Sequence, residues 1–170
     1  RATTYDGVVD LVRRHEADVA ISILSRTVDR SRHVLFSRPY LVAHPALVAN
    51  RLLAARAGED ESVRHYLQRP GARICTVAGS SYVGFVQSDF PDAEVVPLPS
   101  LEACWQAVLE GDVDAFYYDE VEILTALRRK PEVKLWLKPV ILDDIDDAVA
   151  IAMAWDSRHL AQLVNVMLDE

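Results

Sequence analysis

Apolar and polar residues alternate in the first part of the chain as in a helix followed by extended segments. The apolar residues of segment 8–12 recur at helical spacing, and Asp6 is placed to cap the helix N-terminus. Segment 18–23 is a short apolar run that predicts a buried strand. Residues 41–49 are again extended, and Pro45 within them favours an edge or crossing strand over a central one.

Strands and helices alternate more regularly from residue 72 onward. Strands are predicted over 72–78, 94–98 and 113–118, and helices over 82–88, 101–110 and from 119 or 120 to about 129. Helix 101–110 is the clearest, because Ser100 caps its start and Gly111 stands just past its end.

The last part of the chain continues this alternation. Residues 134–141 alternate in polarity, 143–147 form an acidic loop, 148–155 form a last strand, and Ser157 caps a terminal helix. We interpret the acidic loop as a solvated connection, since its spacing is not that of an EF-hand calcium site. Strands alternating with helices are typical of an α/β protein rich in parallel strands.

The polar, charged stretch from Arg51 to Gly71 is the best candidate for a boundary. We therefore expect residues 1–48 to form part of a first lobe, 49–71 a connection, 72–148 a second lobe, and 149–170 the return strand and C-terminal helix of the first lobe.

Composition limits the classes of function. Apolar residues make up 51% of the chain, which is enough for a packed core, and the net charge of −8 argues against binding to a nucleic-acid backbone. No apolar run approaches the roughly 20 residues of a membrane helix. The chain opens at Arg1 without a signal peptide, as expected either after removal of a leader or when an N-terminal segment is missing, so the sequence does not show secretion directly.

Cys75 and Cys104 are the only two cysteines. We expect two buried thiols. A disulfide is the alternative if the compartment is oxidising. No Cys or His pair has metal-ligand spacing, and no nucleophile or phosphate-loop motif occurs. We therefore expect neither a metal nor another cofactor.

Ser25 and Arg30 follow the apolar run 19–24 at a spacing that suits anion binding. A hydroxyl, the free N–H groups of a helix start and a bidentate guanidinium can converge there on one carboxylate. The alternative is a surface arginine in an ion pair with Asp29 or another neighbour.

A second candidate group lies in the later half of the chain. Ser80 and Ser81 follow Gly79 at a predicted helix start, where hydroxyl and N–H donors suit an anion, although serine there is often only a cap. Asp119 directly follows the predicted strand 113–118, and α/β folds bind ligands beyond the carboxyl ends of such strands. Its carboxylate either pairs with an ammonium group or caps the next helix.

These residues stand in the same order as in a known family. Together they resemble the signature of polar amino-acid-binding periplasmic proteins (solute-binding family 3). The features that carry the resemblance are, in order, segment 18–21, Ser25 and Arg30, Phe36-Ser37-Arg38-Pro39-Tyr40, Gly79-Ser80-Ser81, Gly111 to Ala115 followed by Asp119, strand 149–154 and Asn165. The fold of this family is similar to that of the ligand-binding domains of ionotropic glutamate receptors.

The resemblance implies roles for six residues. Arg30 would bind the α-carboxylate of the ligand with help from Ser25, and the carbonyl of Ile23 would face the α-amino group. Ser80 and Ser81 would donate from the second lobe, and Asp119 would pair with the α-ammonium.

The resemblance also implies a type II periplasmic-binding-protein-like α/β fold, with two lobes joined by a two-strand hinge. Here the first lobe appears without its usual N-terminal β-α-β segment. The expected function is non-enzymatic binding of an amino acid or similar small carboxylate, on the periplasmic or extracellular face of a membrane. The expected partners are that small-molecule ligand and a membrane permease or fused membrane domain, and no nucleic acid.

Two other functions fit a carboxylate-binding arginine on a related scaffold. One is a dehydratase of cyclohexadienyl or prephenate type, with Glu120 or Asp119 as proton donor. The other is the effector domain of a transcription regulator, which the Phe-Ser-x-Pro-Tyr run fits poorly.

Overall fold

A computed structural model describes residues 4–57 and 60–169. The strands are β1 (Val19–Ala20), β2 (Val34–Phe36), β3 (Leu41–Ala43), β4 (Pro45–Asn50), β5 (Arg73–Val77), β6 (Glu94–Leu98), β7 (Ala115–Asp119), β8 (Leu137–Ile141), β9 (Asp147–Val149) and β10 (Ala152–Ala154). The helices are α1 (Tyr5–Arg13), α2 (Val28–Ser31), α3 (Arg51–Ala57), α4 (Asp60–Leu67), α5 (Tyr82–Asp89), α6 (Leu101–Glu110), α7 (Glu120–Arg129) and α8 (Arg158–Met167), with a 3₁₀ turn at Pro131–Leu135.

The chain divides into two compact units. Unit 1 comprises Arg1–Ala43 and Asp146–Glu170, and unit 2 comprises His44–Ile145. These limits differ from the predicted ones, because segment 49–71 packs into unit 2 instead of forming a connection. Val63 and Leu67 of α4 are fully buried in the core of that unit.

Unit 2 is built on a five-stranded mixed sheet of order β6-β5-β7-β4-β8. Strand β5 is parallel to β6 and β7, and β4 is antiparallel to β7 and β8. Segment 41–49 does cross, since it passes from unit 1 to unit 2 between Ala43 and His44. The edge position predicted from Pro45 is wrong, because β4 lies inside the sheet. Pro45 is tolerated there because it is the first residue of the strand, and its carbonyl accepts a hydrogen bond from the Leu142 N–H at 2.9 Å.

The predicted helices of unit 2 are confirmed. The Ser100 hydroxyl accepts a hydrogen bond from the Ala103 N–H at 3.2 Å, and Gly111 ends α6 with φ +81°. Helices α5 and α7 lie where the apolar spacing places them. Cys104 and Val108 of α6 pack into the core against the sheet.

Unit 1 contains a three-stranded antiparallel sheet of order β1-β10-β2 and a two-stranded ladder of β3 with β9. The predicted last strand, 148–155, is therefore two strands, because the chain changes partners at Ala150 and Ile151. At this crossing the Ala150 N–H donates to the Leu24 carbonyl at 3.0 Å, and the Ile151 N–H donates to the Ser37 hydroxyl at 3.0 Å.

Two local predictions for the first segment are wrong. Thr4, not Asp6, caps α1: its hydroxyl accepts from the Gly7 N–H at 3.1 Å, and Asp6 lies in the first turn. The predicted strand 18–23 is reduced to two residues, and Ile21 and Ile23 are 64% and 44% exposed. The strand ends early because Ile23 has φ +47°, which extended pairing does not permit.

The two thiols are free and buried, as predicted. Within residues 4–57 and 60–169, no helix combines the length and the apolar character that a membrane span requires.

Two glycine substitutions should change stability in opposite directions. We expect Gly111→Ala to lower the free energy of unfolding by about 1 kcal/mol, because φ +81° strains any residue with a Cβ. Gly84→Ala, inside α5, should raise it by about 0.5–1 kcal/mol, since the added Cβ meets nothing within 4 Å. Urea unfolding followed by circular dichroism measures both changes in the free energy of unfolding. Changes of the same sign would contradict a left-handed backbone at Gly111 and a helical one at Gly84.

Cys75 should resist thiol reagents in the folded protein. The hydrogen-bonded Cys104 thiol and burial raise the pKa of Cys75 far above its usual range, so the reactive thiolate is absent at pH 8. We expect slow labelling by a chromogenic disulfide reagent in the native protein and rapid labelling of both thiols in denaturant. Rapid labelling of Cys75 in the native state would exclude this packing.

Candidate functional site

Arg30 is a buried arginine at the end of the short helix α2. Thr27 caps this helix, since its hydroxyl accepts a hydrogen bond from the Arg30 N–H at 3.3 Å. The helix turns the Arg30 side chain inward, so the residue is only 7% exposed. A surface ion pair with Asp29 is therefore excluded: Asp29 bonds Arg32 at 3.1 Å on the exposed side.

Two neighbours hold the Arg30 guanidinium. Its Nη1 donates to the carbonyl of Ser25 at 3.3 Å, and its Nη2 lies 3.4 Å from a carboxylate oxygen of Asp6 on α1. A cavity of about 240 Å³ opens beside it, and its lining consists of Asp6, Val9, Asp10, Arg13, Asp29, Arg30 and His33. A guanidinium has five N–H groups, so these two contacts leave donors for a further acceptor.

Ser25 contacts Arg30 through its carbonyl. The hydroxyl donates to the Asp147 carboxylate at 2.8 Å, and both residues are buried. Asp147 is not among the residues predicted from the sequence, because it belongs to a run of acids that is typical of a solvated loop. Its position as the first residue of β9, paired with Ala43 of β3, explains its burial, because the ladder draws it into unit 1.

Ile23 lies two residues before Ser25 in a strained conformation. A β-branched residue at φ +47° costs roughly 1–2 kcal/mol relative to an ordinary backbone. This turn separates β1 from Leu24, which is fully buried. The strained turn thus exposes Ile23 while Leu24 and Ser25 enter the interior.

The Phe-Ser-x-Pro-Tyr motif attaches to the return segment of unit 1. The Ser37 N–H donates to the Ile151 carbonyl at 2.9 Å, and the Tyr40 N–H donates to the Val149 carbonyl at 3.0 Å. Asn165 of α8 accepts from the Arg38 N–H at 2.7 Å. These hydrogen bonds attach the motif to the return segment and to α8.

The second candidate group lies at the start of α5 in unit 2. The Ser80 hydroxyl donates to the Val77 carbonyl at 2.6 Å, and Ser80 is 8% exposed. Ser81 occupies the N-cap position but makes no side-chain cap bond. Gly79 has φ +72°, which turns the chain from β5 into this helix. Both serine hydroxyls thus stand at a strand end, as predicted.

Asp119 caps α7, as one of the two interpretations expects, and the cap uses only one of its carboxylate oxygens. One carboxylate oxygen accepts from the N–H groups of Val121 at 2.7 Å and Glu122 at 3.1 Å. The other lies 3.5 Å from the Tyr82 hydroxyl, and Asp119 is 3% exposed. Tyr82, which the sequence analysis did not single out, thereby connects Asp119 with the segment that carries Ser80 and Ser81.

Asp144 of the acidic loop forms an ion pair with Arg64 in unit 2. A hydrogen bond from Arg64 lowers the pKa of Asp144, whose two carboxylate oxygens each lie 2.8 Å from Arg64 Nη1. In the part of the chain that the structure describes, no group of three or more His, Cys, Asp or Glu residues is arranged to hold a metal.

A second cavity, of about 230 Å³, lies between α6 and α7. Trp105 contributes to its wall, and Lys130 and Glu102 form an ion pair of 3.3 Å at its rim. It contains none of the residues predicted to bind a ligand, so it is separate from both candidate groups.

Ser25→Ala should destabilise the protein by about 1–3 kcal/mol, because it removes a donor from the buried Asp147 carboxylate. Chemical denaturation measures the change. Ser31→Ala is the matched control, since its hydroxyl bonds an exposed carbonyl, and it should change stability by about 0.5 kcal/mol or less. Equal effects of both variants would show that the buried bond contributes nothing.

A scan against models of protein families finds no match, and a search of curated proteins finds none. Solved structures do match. A putative binding component of an ABC transporter from Wolinella succinogenes, in complex with lysine, has a TM-score of 0.85 at 20% identity, over 99% of this chain and 70% of that one.

Two further structures show the same likeness. The amino-acid transporter substrate-binding protein AbpA from Streptococcus pneumoniae, bound to L-arginine, has a TM-score of 0.79 at 23% identity, over 99% of this chain and 68% of that one. The ancestral amino-acid-binding protein AncCDT-1, a precursor of cyclohexadienyl dehydratase, has a TM-score of 0.79 at 20% identity with the same coverage. The predicted fold is confirmed: this chain has the α/β fold of the periplasmic-binding-protein-like solute-binding proteins.

Proposed function

We propose that this protein binds an amino acid or a similar small carboxylate. The observation that carries the proposal is Arg30, a buried guanidinium beside a cavity of about 240 Å³. Arginine is the side chain best suited to a carboxylate, because its planar fork donates two parallel hydrogen bonds. The fold adds support, since solved structures with this fold bind lysine and L-arginine.

The energetics favour a ligand carboxylate at Arg30. A hydrogen bond to a charged group contributes about 1.5–3 kcal/mol, and more donors remain on the guanidinium than Ser25 and Asp6 use. The hydrogen bond to the Ser25 carbonyl already restricts the Arg30 side chain, so Arg30 loses less conformational entropy when a ligand binds. Arg30 is therefore preorganised for an acid.

The other residues of the proposal are Ser25, Ile23, Ser80, Ser81 and Asp119. In unit 1 the carbonyl of Ile23 is the proposed acceptor for the α-amino group, and the strained turn presents it near Ser25. In unit 2 the hydroxyls of Ser80 and Ser81 are proposed donors. A hydroxyl carries one hydrogen, so the Ser80 hydroxyl would exchange its bond to the Val77 carbonyl for one to the ligand. Asp119 is the proposed partner of the ligand ammonium through the oxygen that faces Tyr82.

We also propose an extracytoplasmic location and a membrane partner, either a transporter permease or the membrane domain of a larger receptor. This rests on the fold, because structures that share it include ABC transporter substrate-binding proteins. An enzymatic role is less well supported. AncCDT-1 is itself an amino-acid-binding protein, although it is a precursor of a dehydratase. Turnover of a cyclohexadienyl acid would support the enzymatic alternative.

Arg30→Ala should weaken ligand binding by about 2–5 kcal/mol, about 30- to 4,000-fold in Kd, because the ligand carboxylate loses its charged donor. Calorimetry with a panel of L-amino acids, beginning with L-arginine and L-lysine, measures this. Arg30→Lys keeps the positive charge but not the two parallel N–H donors of the guanidinium, so it should lose less affinity than Arg30→Ala.

Arg32→Ala is the matched control, since Arg32 is exposed and pairs with Asp29 on the surface. It should bind as the wild type does, and circular dichroism checks the folding of all variants. Absence of binding across the panel, or equal affinity of the wild type and Arg30→Ala, would refute the proposal.

A further inference from the structure

Three large apolar side chains of unit 2 are exposed to solvent on neighbouring segments. Leu52, in the first turn of α3, is 73% exposed. Leu135, which ends the 3₁₀ turn, and Trp136, which follows it, are 72% and 66% exposed. The Arg51 N–H donates to the Trp136 carbonyl at 2.7 Å, so the start of α3 lies beside the end of that turn. An exposed apolar cluster, unlike a single exposed residue, marks an interaction surface.

Basic side chains accompany this cluster. Arg51 Nε donates to the Lys134 carbonyl at 2.7 Å, so the two residues lie at the same corner of unit 2. Arg128 and Arg129 stand in the last turn of α7, just before the 3₁₀ turn. All four of these side chains are exposed, and none of them forms an ion pair with another described residue.

The local charge is opposite to that of the whole chain. Segment 128–138 contains five basic residues and one acid, Glu132, whereas the chain has a net charge of −8. Cations are thus concentrated where apolar side chains are exposed. We define the basic apolar patch as Arg51, Leu52, Lys134, Leu135 and Trp136, and Arg128 and Arg129 flank it.

This combination complements an anionic lipid surface. A lysine or arginine close to such a surface strengthens binding by about fivefold, and tryptophan prefers the boundary between headgroups and acyl chains. Leu52 and Leu135 can enter the apolar layer below the headgroups. A stable protein interface takes roughly 20–30 residues on each side, many more than the patch offers.

We propose that the basic apolar patch attaches unit 2 reversibly to an anionic lipid surface. Trp136 lies at the headgroup boundary, and Arg51 and Lys134 lie over the anionic headgroups. This is a direct contact with lipid, and it is additional to any protein partner in the membrane. It uses none of the residues proposed to bind an amino acid.

Flotation of the whole chain with lipid vesicles tests the proposal. The chain should bind vesicles of phosphatidylcholine and phosphatidylglycerol, mixed about two to one, and bind vesicles of phosphatidylcholine alone much more weakly. Added salt should weaken the binding, because it screens exposed charges. Tryptophan fluorescence should shift to shorter wavelength on binding, because Trp136 leaves water.

Matched variants of unit 1 control this result. Trp136→Phe should remove most of the fluorescence shift, whereas Trp155→Phe, at a tryptophan that is 61% exposed in unit 1, should retain it. Lys134→Gln should weaken binding about fivefold. Arg158→Gln removes an exposed cation of unit 1 that has no ion-pair partner among the described residues, and it should change binding less than twofold.

The contrary outcomes are specific. Absence of binding to the mixed vesicles, or equal binding to both kinds of vesicle, would overturn the proposal. So would equal effects of Lys134→Gln and Arg158→Gln, or a fluorescence shift that survives Trp136→Phe. Circular dichroism checks the folding of the variants, all of which lie at exposed positions. The amino-acid affinity of each variant should equal that of the wild type, so failure here leaves the proposed function intact.

Discussion

The arrangement of unit 1 depends on the burial of one guanidinium. A buried charge without partners is costly, so the surroundings of the Arg30 guanidinium must supply acceptors. The Asp6 carboxylate on α1 and the Ser25 carbonyl just before α2 are these acceptors. Burial of Arg30 thereby joins α1 and α2 at the same cavity.

The two units are stabilised in different ways. Unit 2 has a large apolar core around strand β4, whose residues 46–49 are fully buried, whereas the apolar cluster of unit 1 is small. Buried side-chain hydrogen bonds join the segments of unit 1. The Ser25 hydroxyl donates to Asp147, and the Ser37 hydroxyl accepts from the Ile151 N–H at the crossing between β9 and β10. These ties position the candidate site, because they hold the segment around Ser25 against the return strands.

The candidate site was predictable where its elements are local. The spacing of Ser25 and Arg30 after an apolar run, and the placement of Asp119 between a strand and a helix, both indicated polar groups at element ends. Their partners were not predictable. Asp6, Asp147 and Tyr82 are distant in sequence from the residues that they contact, and nothing in their own surroundings marks them. Asp147 in particular stands in a run of acids typical of solvent.

The sequence by itself determined the alternation of strands and helices in unit 2, the ends of α6 at Ser100 and Gly111, and the presence of a charged residue that could bind an acid. These properties follow from local spacing, capping and backbone preference. Only the tertiary structure decided that Pro45 begins a central strand, that the last strand divides between two partners, and that Arg30 faces Asp6 instead of Asp29. Each of these depends on which distant segments supply hydrogen bonds and burial, and periodicity along the chain carries no information about that choice.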